Sequence, residues 1–534
     1  FFLCAAPFRS LDCHGGAQLE TGIGISSSFP AIGAEMTDLA SPLASAAAPV
    51  GFATRVRHAL AWRWGTQVLA QVITWSSTIA VVRLLDPHDY GLFAMSQVVV
   101  IALAFLNGQG FATSLIQASH VDGRRIGQVF ALLLLLNAAL ASVQYLAAPY
   151  AADYFTEPLI EDMLRTQALL FLAIPFIALP QELLARRLEF RKQGIVNVLC
   201  AVTGASTALI LAWRGHGVWA LVYAPIAMYA TRAIGLTLAA RVHVWPVFDF
   251  RGARELFTFG GALTLCQLLW IVQSQSDIVI AGRTFDPHDL GLYTEALFLT
   301  LIVTGRFLPP VNEVAFPAYA ELHKNGRPLA PYFLRTLRTV LLVTAPLYIG
   351  ASLVAEPAIL LLFGEKWVEM APIVAGLALA MPFFALQIVC SPATNAMGLP
   401  RVYLATSLIG AIVFPCLFLL GIRFGPMGLV HAWWIAAPTL LTATLLLTLP
   451  HVGLARRALL RELAPIALAC AAMAIAVFGL RASVAGWPPM LQLCGLVPLG
   501  IATYLAALWA IRPAYLTETW AMARDREMAP TRLA

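Results

Sequence analysis

The chain states one motif twice, 200 residues apart, and that repeat limits the architectures open to it. Arg83-Leu-Leu-Asp86-Pro87-His88-Asp89-Tyr-Gly91-Leu92 returns as Arg283-Thr-Phe-Asp286-Pro287-His288-Asp289-Leu-Gly291-Leu292. The register holds upstream without a gap, since Gln67 and Ser76 recur as Gln267 and Ser276. Each copy lies between two long apolar runs, so the chain reads as two equivalent halves of membrane helices, a pattern typical of transporters.

Sixty per cent of the residues are hydrophobic and 12% are charged, where an ordinary soluble domain has about 25% charged residues. Mean hydropathy is +0.79. These values place the chain among all-α integral membrane proteins. Segments of roughly 17 to 25 mostly apolar residues span the hydrocarbon core as helices. About fourteen can be read, from roughly 64–82 to roughly 488–511.

Lys and Arg gather in alternate loops, at Arg124 and Arg125, at Arg186, Arg187, Arg191 and Lys192, and at Arg456, Arg457 and Arg461. The intervening loops hold mostly one cation each, such as Arg83, Arg214 and Arg283. The positive-inside rule then puts both termini in the cytoplasm and the two Asp-Pro-His-Asp turns on the other side. The net charge of +6 is used in orienting the protein and touching anionic lipid head groups, and calls for no nucleic acid.

The expected organisation is a disordered or non-native extension over 1–50, a first lobe of six helices over 51–245, and a second over 246–450. Two further helices follow over 451–511, then a cytoplasmic tail over 512–534. The extension lacks the pattern of a signal peptide, and Met36 is the expected natural start. Because the first and seventh helices start on the same side, the lobes are expected to be a parallel repeat about an axis along the membrane normal. No cysteine or histidine spacing suggests a metal site.

The repeated turn has two readings. Mechanically, Asp86 and Asp286 cap the following helices, the prolines fit their first turns, and Asp89 and Asp289 favour the positive ends of the helix dipoles. Functionally, His88 and His288 form a paired pH-sensitive gate, since histidine titrates near neutrality.

The "Arg83-Leu-Leu-Asp-Pro" junction, Ser276-Asp277-Ile-Val-Ile-Ala-Gly-Arg283, Leu183-Leu-Ala-Arg-Arg-Leu-Glu-Phe-Arg191 and Gly217-Val-Trp-Ala-Leu-Val resemble polysaccharide-export flippases of the MOP superfamily, the Wzx-type O-antigen and exopolysaccharide translocases. The resemblance covers most of residues 55–450. It implies translocation of an undecaprenyl-diphosphate-linked oligosaccharide from the cytoplasmic to the periplasmic leaflet of a bacterial inner membrane, with the lobes rocking about a central cavity. It leaves open whether the protein acts beside a polymerase and export complex.

A diphosphate is met well by guanidinium, which is always charged and offers a planar fork of donors. Ionisable groups within the bilayer are costly and tend to face a cavity. Arg306 is the foremost candidate, expected as a buried cation beside a helix broken at Pro309 and Pro310. The first lobe has Asn107-Gly108-Gln109-Gly110 at the equivalent place. Arg232 and Arg63 are further candidates for the diphosphate, or else snorkel to head groups. Gln267 and Gln273 add polar groups from the seventh helix. Asp277 can bind a coupling Na⁺ or H⁺, pair with Arg283, or act structurally. Glu313 can pair with Arg306 or take part in coupling. No other cofactor is expected.

Rival cargoes are a peptidoglycan precursor and, for a cation-coupled antiporter of the same superfamily, organic cations. The last is disfavoured because the first six helices place no Asp or Glu in their central portions. An enzymatic reading fails on two counts: no extramembrane loop is long enough to form a domain, and P-loop, GxSxG and HExxH patterns are missing from the sequence.

Overall fold

A computed structural model of the chain describes residues 50–108, 123–187, 189–241, 245–249 and 261–518. The side chains of 50–61, 63, 64 and 261–267 lie outside that description. The expected N-terminal extension, Gln109 and most of the C-terminal tail therefore fall outside the described residues.

Among the described residues every regular element is helical. The first lobe comprises α1 (Val50–Leu84), α2 (Pro87–Ala104), α3 (Gly123–Phe155), α4 (Leu159–Gln167), α5 (Leu169–Ala173), α6 (Pro175–Arg186), α7 (Phe190–Trp213) and α8 (Trp219–Ala240). The second comprises α9 (Gly261–Thr284), α10 (Pro287–Lys324), α11 (Ala330–Leu353), α12 (Ala355–Leu362), α13 (Ala371–Ala396), α14 (Pro400–Gly421) and α15 (Gly425–Val452). Two more, α16 (Arg456–Val484) and α17 (Pro489–Ile511), follow.

Eleven stretches among the described residues are long and apolar enough to cross a membrane. One of them, Pro400–Val452, contains both α14 and α15. The helices α2 and α9 are not among these stretches, part of α9 lying outside the described side chains. Several helices run well past the apolar segments read from hydropathy. The 38 residues of α10 extend about 57 Å at 1.5 Å per residue, against a hydrocarbon core of about 30 Å. One of these stretches, Leu159–Arg186, is divided into the three short helices α4 to α6, with Pro175 starting the last of them.

Packing order is the same in both halves. In the first, α1 lies on α7 and α7 on α8; in the second, α9 lies on α14 and α14 on α15. The lobes meet mainly through α2 and α10. The largest apolar cluster sits at this junction, where Val82, Tyr90 and Met95 meet Leu290, Tyr293 and Trp367. Towards the basic loops the cores are separate, with Leu184 and Val196 in one lobe and Tyr319 and Phe333 in the other. The final pair docks on the second lobe: α16 packs on α11 and α17, and Tyr504 Oη donates to Leu342 O at 3.0 Å.

Candidate functional site

The two Asp-Pro-His-Asp turns start α2 and α10 as local chemistry requires. Asp286 Oδ1 accepts from Asp289 N at 2.8 Å, and Asp86 N donates to Asp89 Oδ2 at 3.4 Å. Pro87 and Pro287 occupy first-turn positions, where a missing N–H leaves no rung unmade. One turn further on, the helices cross with their backbones touching. A Cβ on Gly91 would collide with the carbonyl oxygen of Pro287, and one on Gly291 with that of Pro87. The same Cβ on Gly291 would lie 2.9 Å from Gly91 N. Equivalent ends of the two repeats are thus together on one side of the molecule, and the repeat is parallel.

Around this crossing, each lobe's first helix is held by the other lobe. Trp367 Nε1 donates to Val82 O at 3.0 Å. Arg83 donates to the carbonyls of Leu362, at 2.9 Å, and of Leu361. Lys366 Nζ lies 2.7 Å from Asp86 Oδ1. On the opposite side, Tyr154 Oη donates to Val279 O at 3.3 Å, and the Arg283 guanidinium lies over the Tyr154 ring. His88 is exposed, and His288 Nδ1 is 3.9 Å from its neighbour Asp289 Oδ1. Contact at the crossing is made by glycine and proline backbone, with the histidines beside it. Ligand atoms of Asp286, His288 and Asp289 lie within 4.8 Å of one another, as a capped first turn brings them.

Farther down α10, Arg306 crosses the gap between lobes. Its Nη2 donates to Gln71 Oε1 on α1 at 2.9 Å. Gln71 Nε2 is buried and has no hydrogen-bond partner among the described residues. Two expectations are corrected here. Arg306 is exposed, not buried, because its side chain leaves the helix towards the other lobe. And α10 continues through Pro309 and Pro310 as helix, although neither proline can donate to its ladder. Arg306 is about 29 Å along the axis from Pro287.

The other candidates are dispersed. Arg232 Nη2 donates to Gln181 Oε1 at 2.9 Å, which ties α8 to α6 within the first lobe. Arg63 and Gln267 lie in α1 and α9, with side chains outside the described set. Gln273 presses on Gly410 of α14, where an added Cβ would strike its amide. Asn107 O accepts from Asn137 Nδ2 at 3.0 Å, just past the end of α2. Glu313 is exposed and forms no ion pair among the described residues.

Asp277 is 1% exposed and is not paired with Arg283. Its Oδ2 accepts from Tyr293 Oη at 2.9 Å, and its Oδ1 from Ile278 N at 2.8 Å. Trp433 Nε1 in turn donates to Tyr293 Oη at 3.0 Å. This chain links α9, α10 and α15. Ser77 occupies the equivalent first-lobe position and donates to Ala205 O at 3.3 Å. Sequence reasoning missed Gln71, Tyr293, Trp433 and Tyr348. Of these, only Gln71 carried a signal, as a polar residue within an apolar segment.

The profile of the family described as "Polysaccharide biosynthesis protein" matches residues 80–372. Succinoglycan biosynthesis transport protein ExoT of Rhizobium meliloti (strain 1021) is 28% identical over 307 residues, 56% of this chain and 60% of that protein. Teichuronic acid biosynthesis protein TuaB of Bacillus subtilis (strain 168) is 26% identical over 272 residues, 51% of this chain and 56% of that one. The chain thus spans about 60% or less of the length of these two curated relatives. Among solved structures, lipid II flippase MurJ in an inward closed conformation superposes with a TM-score of 0.69, 13% identity, and coverage of 85% of this chain and 99% of that one. An inward-facing MATE family multidrug transporter of the MOP superfamily gives 0.56 at 14% identity, covering 74% and 96%. These likenesses establish the fold. Since the family profile spans more than half of its length, the chain belongs to the family described as polysaccharide biosynthesis proteins.

Proposed function

We propose that the protein is a flippase that moves an undecaprenyl-diphosphate-linked oligosaccharide across a bacterial inner membrane, from cytoplasmic to periplasmic leaflet, for surface-polysaccharide assembly. The observation that carries this reading is the Arg306–Gln71 pair, with a guanidinium on one lobe, an amide nitrogen without a partner among the described residues on the other, and 2.9 Å between the two side chains. A diphosphate entering between the lobes meets donors from both, and guanidinium suits phosphate oxygens. The names of ExoT, a succinoglycan biosynthesis transport protein, and TuaB, a teichuronic acid biosynthesis protein, support the cargo class. The positive-inside rule puts the junction end in the periplasm and the termini in the cytoplasm. In this orientation the end where the two cores are separate faces the cytoplasmic leaflet, from which such a cargo is loaded.

The partners in this reading are the lipid-linked oligosaccharide and membrane lipids, with a polymerase or export complex receiving the product. Energy enters through a Na⁺ or H⁺ gradient, with Asp277 as the coupling carboxylate. Translocation in proteoliposomes carrying a prenyl-diphosphate-linked oligosaccharide tests the proposal. Native protein is expected to flip the lipid, Arg306→Ala to lose at least tenfold, and Arg306→Lys to fall between them. Export of cationic drugs without lipid movement by the native chain would overturn the cargo. Preference for a peptidoglycan precursor over a surface-polysaccharide precursor would move it to the rival class.

A further inference from the structure

The ladder of α10 is entered by a side chain from the next helix. In an α-helix the amide of residue 304 donates to the carbonyl of residue 300. Here Thr304 N donates to Tyr348 Oη at 3.1 Å, and Tyr348 Oη donates to Thr300 O at 2.8 Å. One hydroxyl therefore contacts both partners of a single rung, an insertion of the kind that bends helices. Tyr348 is 1% exposed and belongs to α11, which packs on α13 and α16. Its hydroxyl is thereby fixed to the body of the second lobe.

Two more rungs fail just below. Pro309 and Pro310 have no N–H for the carbonyls of Gly305 and Arg306. Arg306 thus projects from a stretch of α10 weakened on both sides. The register is the same in the first lobe, where α2 ends at Ala104, 200 residues before Thr304. There the third helix, α3, supplies Asn137 to the carbonyl of Asn107. In both lobes a buried polar side chain from the third helix donates to a main-chain carbonyl of the second or of the residues just past it.

We infer that Tyr348 is a positioning residue for Arg306: its hydroxyl holds the α10 ladder open between Thr300 and Thr304, and so sets the direction in which Arg306 meets Gln71 and a phosphate-bearing ligand between the lobes. This rests on the reading of Arg306 as the diphosphate contact. Without the hydroxyl, Thr304 N and Thr300 O, both on nearly buried residues, regain each other. The helix then straightens and Arg306 swings away from α1.

Spin labels at Phe298→Cys and Val314→Cys, exposed positions on either side of the opened rung, lie about 24 Å apart along the axis. Their distance in the reconstituted full chain, with other cysteines replaced by serine, reports the bend. Tyr348→Phe is expected to lengthen this distance and to lower translocation of a prenyl-diphosphate-linked oligosaccharide at least tenfold. Adding Thr304→Pro, which makes the rung impossible to close, is expected to restore both. Arg306→Ala is expected to lose translocation with the distance unchanged. An unaltered distance in Tyr348→Phe, or no restoration by Thr304→Pro, overturns the positioning role and leaves the Arg306 reading intact. Normal translocation by Arg306→Ala overturns the diphosphate reading and the positioning role with it. Should Tyr348→Phe not fold, Thr304→Pro alone is expected to keep bend and translocation, and loss of either overturns the inference.

Discussion

Gly91 and Gly291, 200 residues apart in sequence, face each other where α2 and α10 cross, each against the backbone of the other's helix. Either glycine replaced by alanine puts a methyl group where a main-chain carbonyl stands, and main chain cannot rotate away as a side-chain tip can. Overpacking of this sort costs about 1 to 3 kcal/mol. Gly91→Ala and Gly291→Ala are each expected to part the lobes at the junction end. Labelling of a cysteine placed at the exposed Ser76 by a membrane-impermeant thiol reagent added on the junction side should accelerate. Unchanged rates in both variants would show that the crossing is not what closes this end.

The contacts around the crossing should differ sharply in weight. Trp367 is fully buried, and Trp367→Phe leaves Val82 O without its donor, at a cost of about 1 to 3 kcal/mol. Lys366 and Asp86 have side chains 53% and 61% exposed, and such surface pairs contribute about 0 to 1 kcal/mol. The same labelling assay is expected to respond to Trp367→Phe and hardly to Lys366→Ala. The reverse order would assign the closure to charge.

Arg306 and Gln71 should behave as one unit in translocation. Gln71→Ala is expected to lower the rate severalfold, while Gln71→Ala added to Arg306→Ala costs nothing more. The coupling in that double-mutant cycle should fall in the range of about 0.5 to 3 kcal/mol. Additive losses would mean that the two side chains act separately.

Asp277, Tyr293 and Trp433 make a stability prediction and a functional one. Tyr293→Phe strands both Trp433 Nε1 and Asp277 Oδ2, so it should cost about 1 to 3 kcal/mol. Asp277→Asn keeps an oxygen for the Tyr293 hydroxyl and should cost less. Thermal unfolding in detergent is expected to rank the variants in that order. If Asp277 is the coupling group, translocation by Asp277→Asn no longer responds to an imposed Na⁺ or pH gradient. A retained response would leave Asp277 with its structural role alone.

Much of this architecture was legible because it is written locally. An Asp-Pro pair starts a helix by its own caps and missing amide, so Pro87 and Pro287 could be located from the sequence, and the 200-residue register followed. Helix length was less legible, since hydropathy registers only the stretch in contact with lipid, while α10 continues past it through Glu321 and Lys324. The site was legible in residue type and not in geometry. A glycine after a cap reads alike whether it meets solvent or another backbone. Tyr348 lies 44 residues from Thr304, and nothing near either one announces the contact. Arg306 was found by its charge in an apolar segment, but its partner across the lobes required the fold.

The crossing at Gly91 and Gly291 has the form of an isologous contact, in which one patch serves both sides. A chain of half this length would carry everything that such a contact needs, and would close on a second copy of itself. In that arrangement any substitution strikes twice, and both halves must change together. Joined into one polypeptide, the halves are released from that constraint while the shared contact keeps them aligned. Asp277 and Tyr293 now stand in one half where Ser77 and Phe93 stand in the other, so a symmetric frame carries an asymmetric interior.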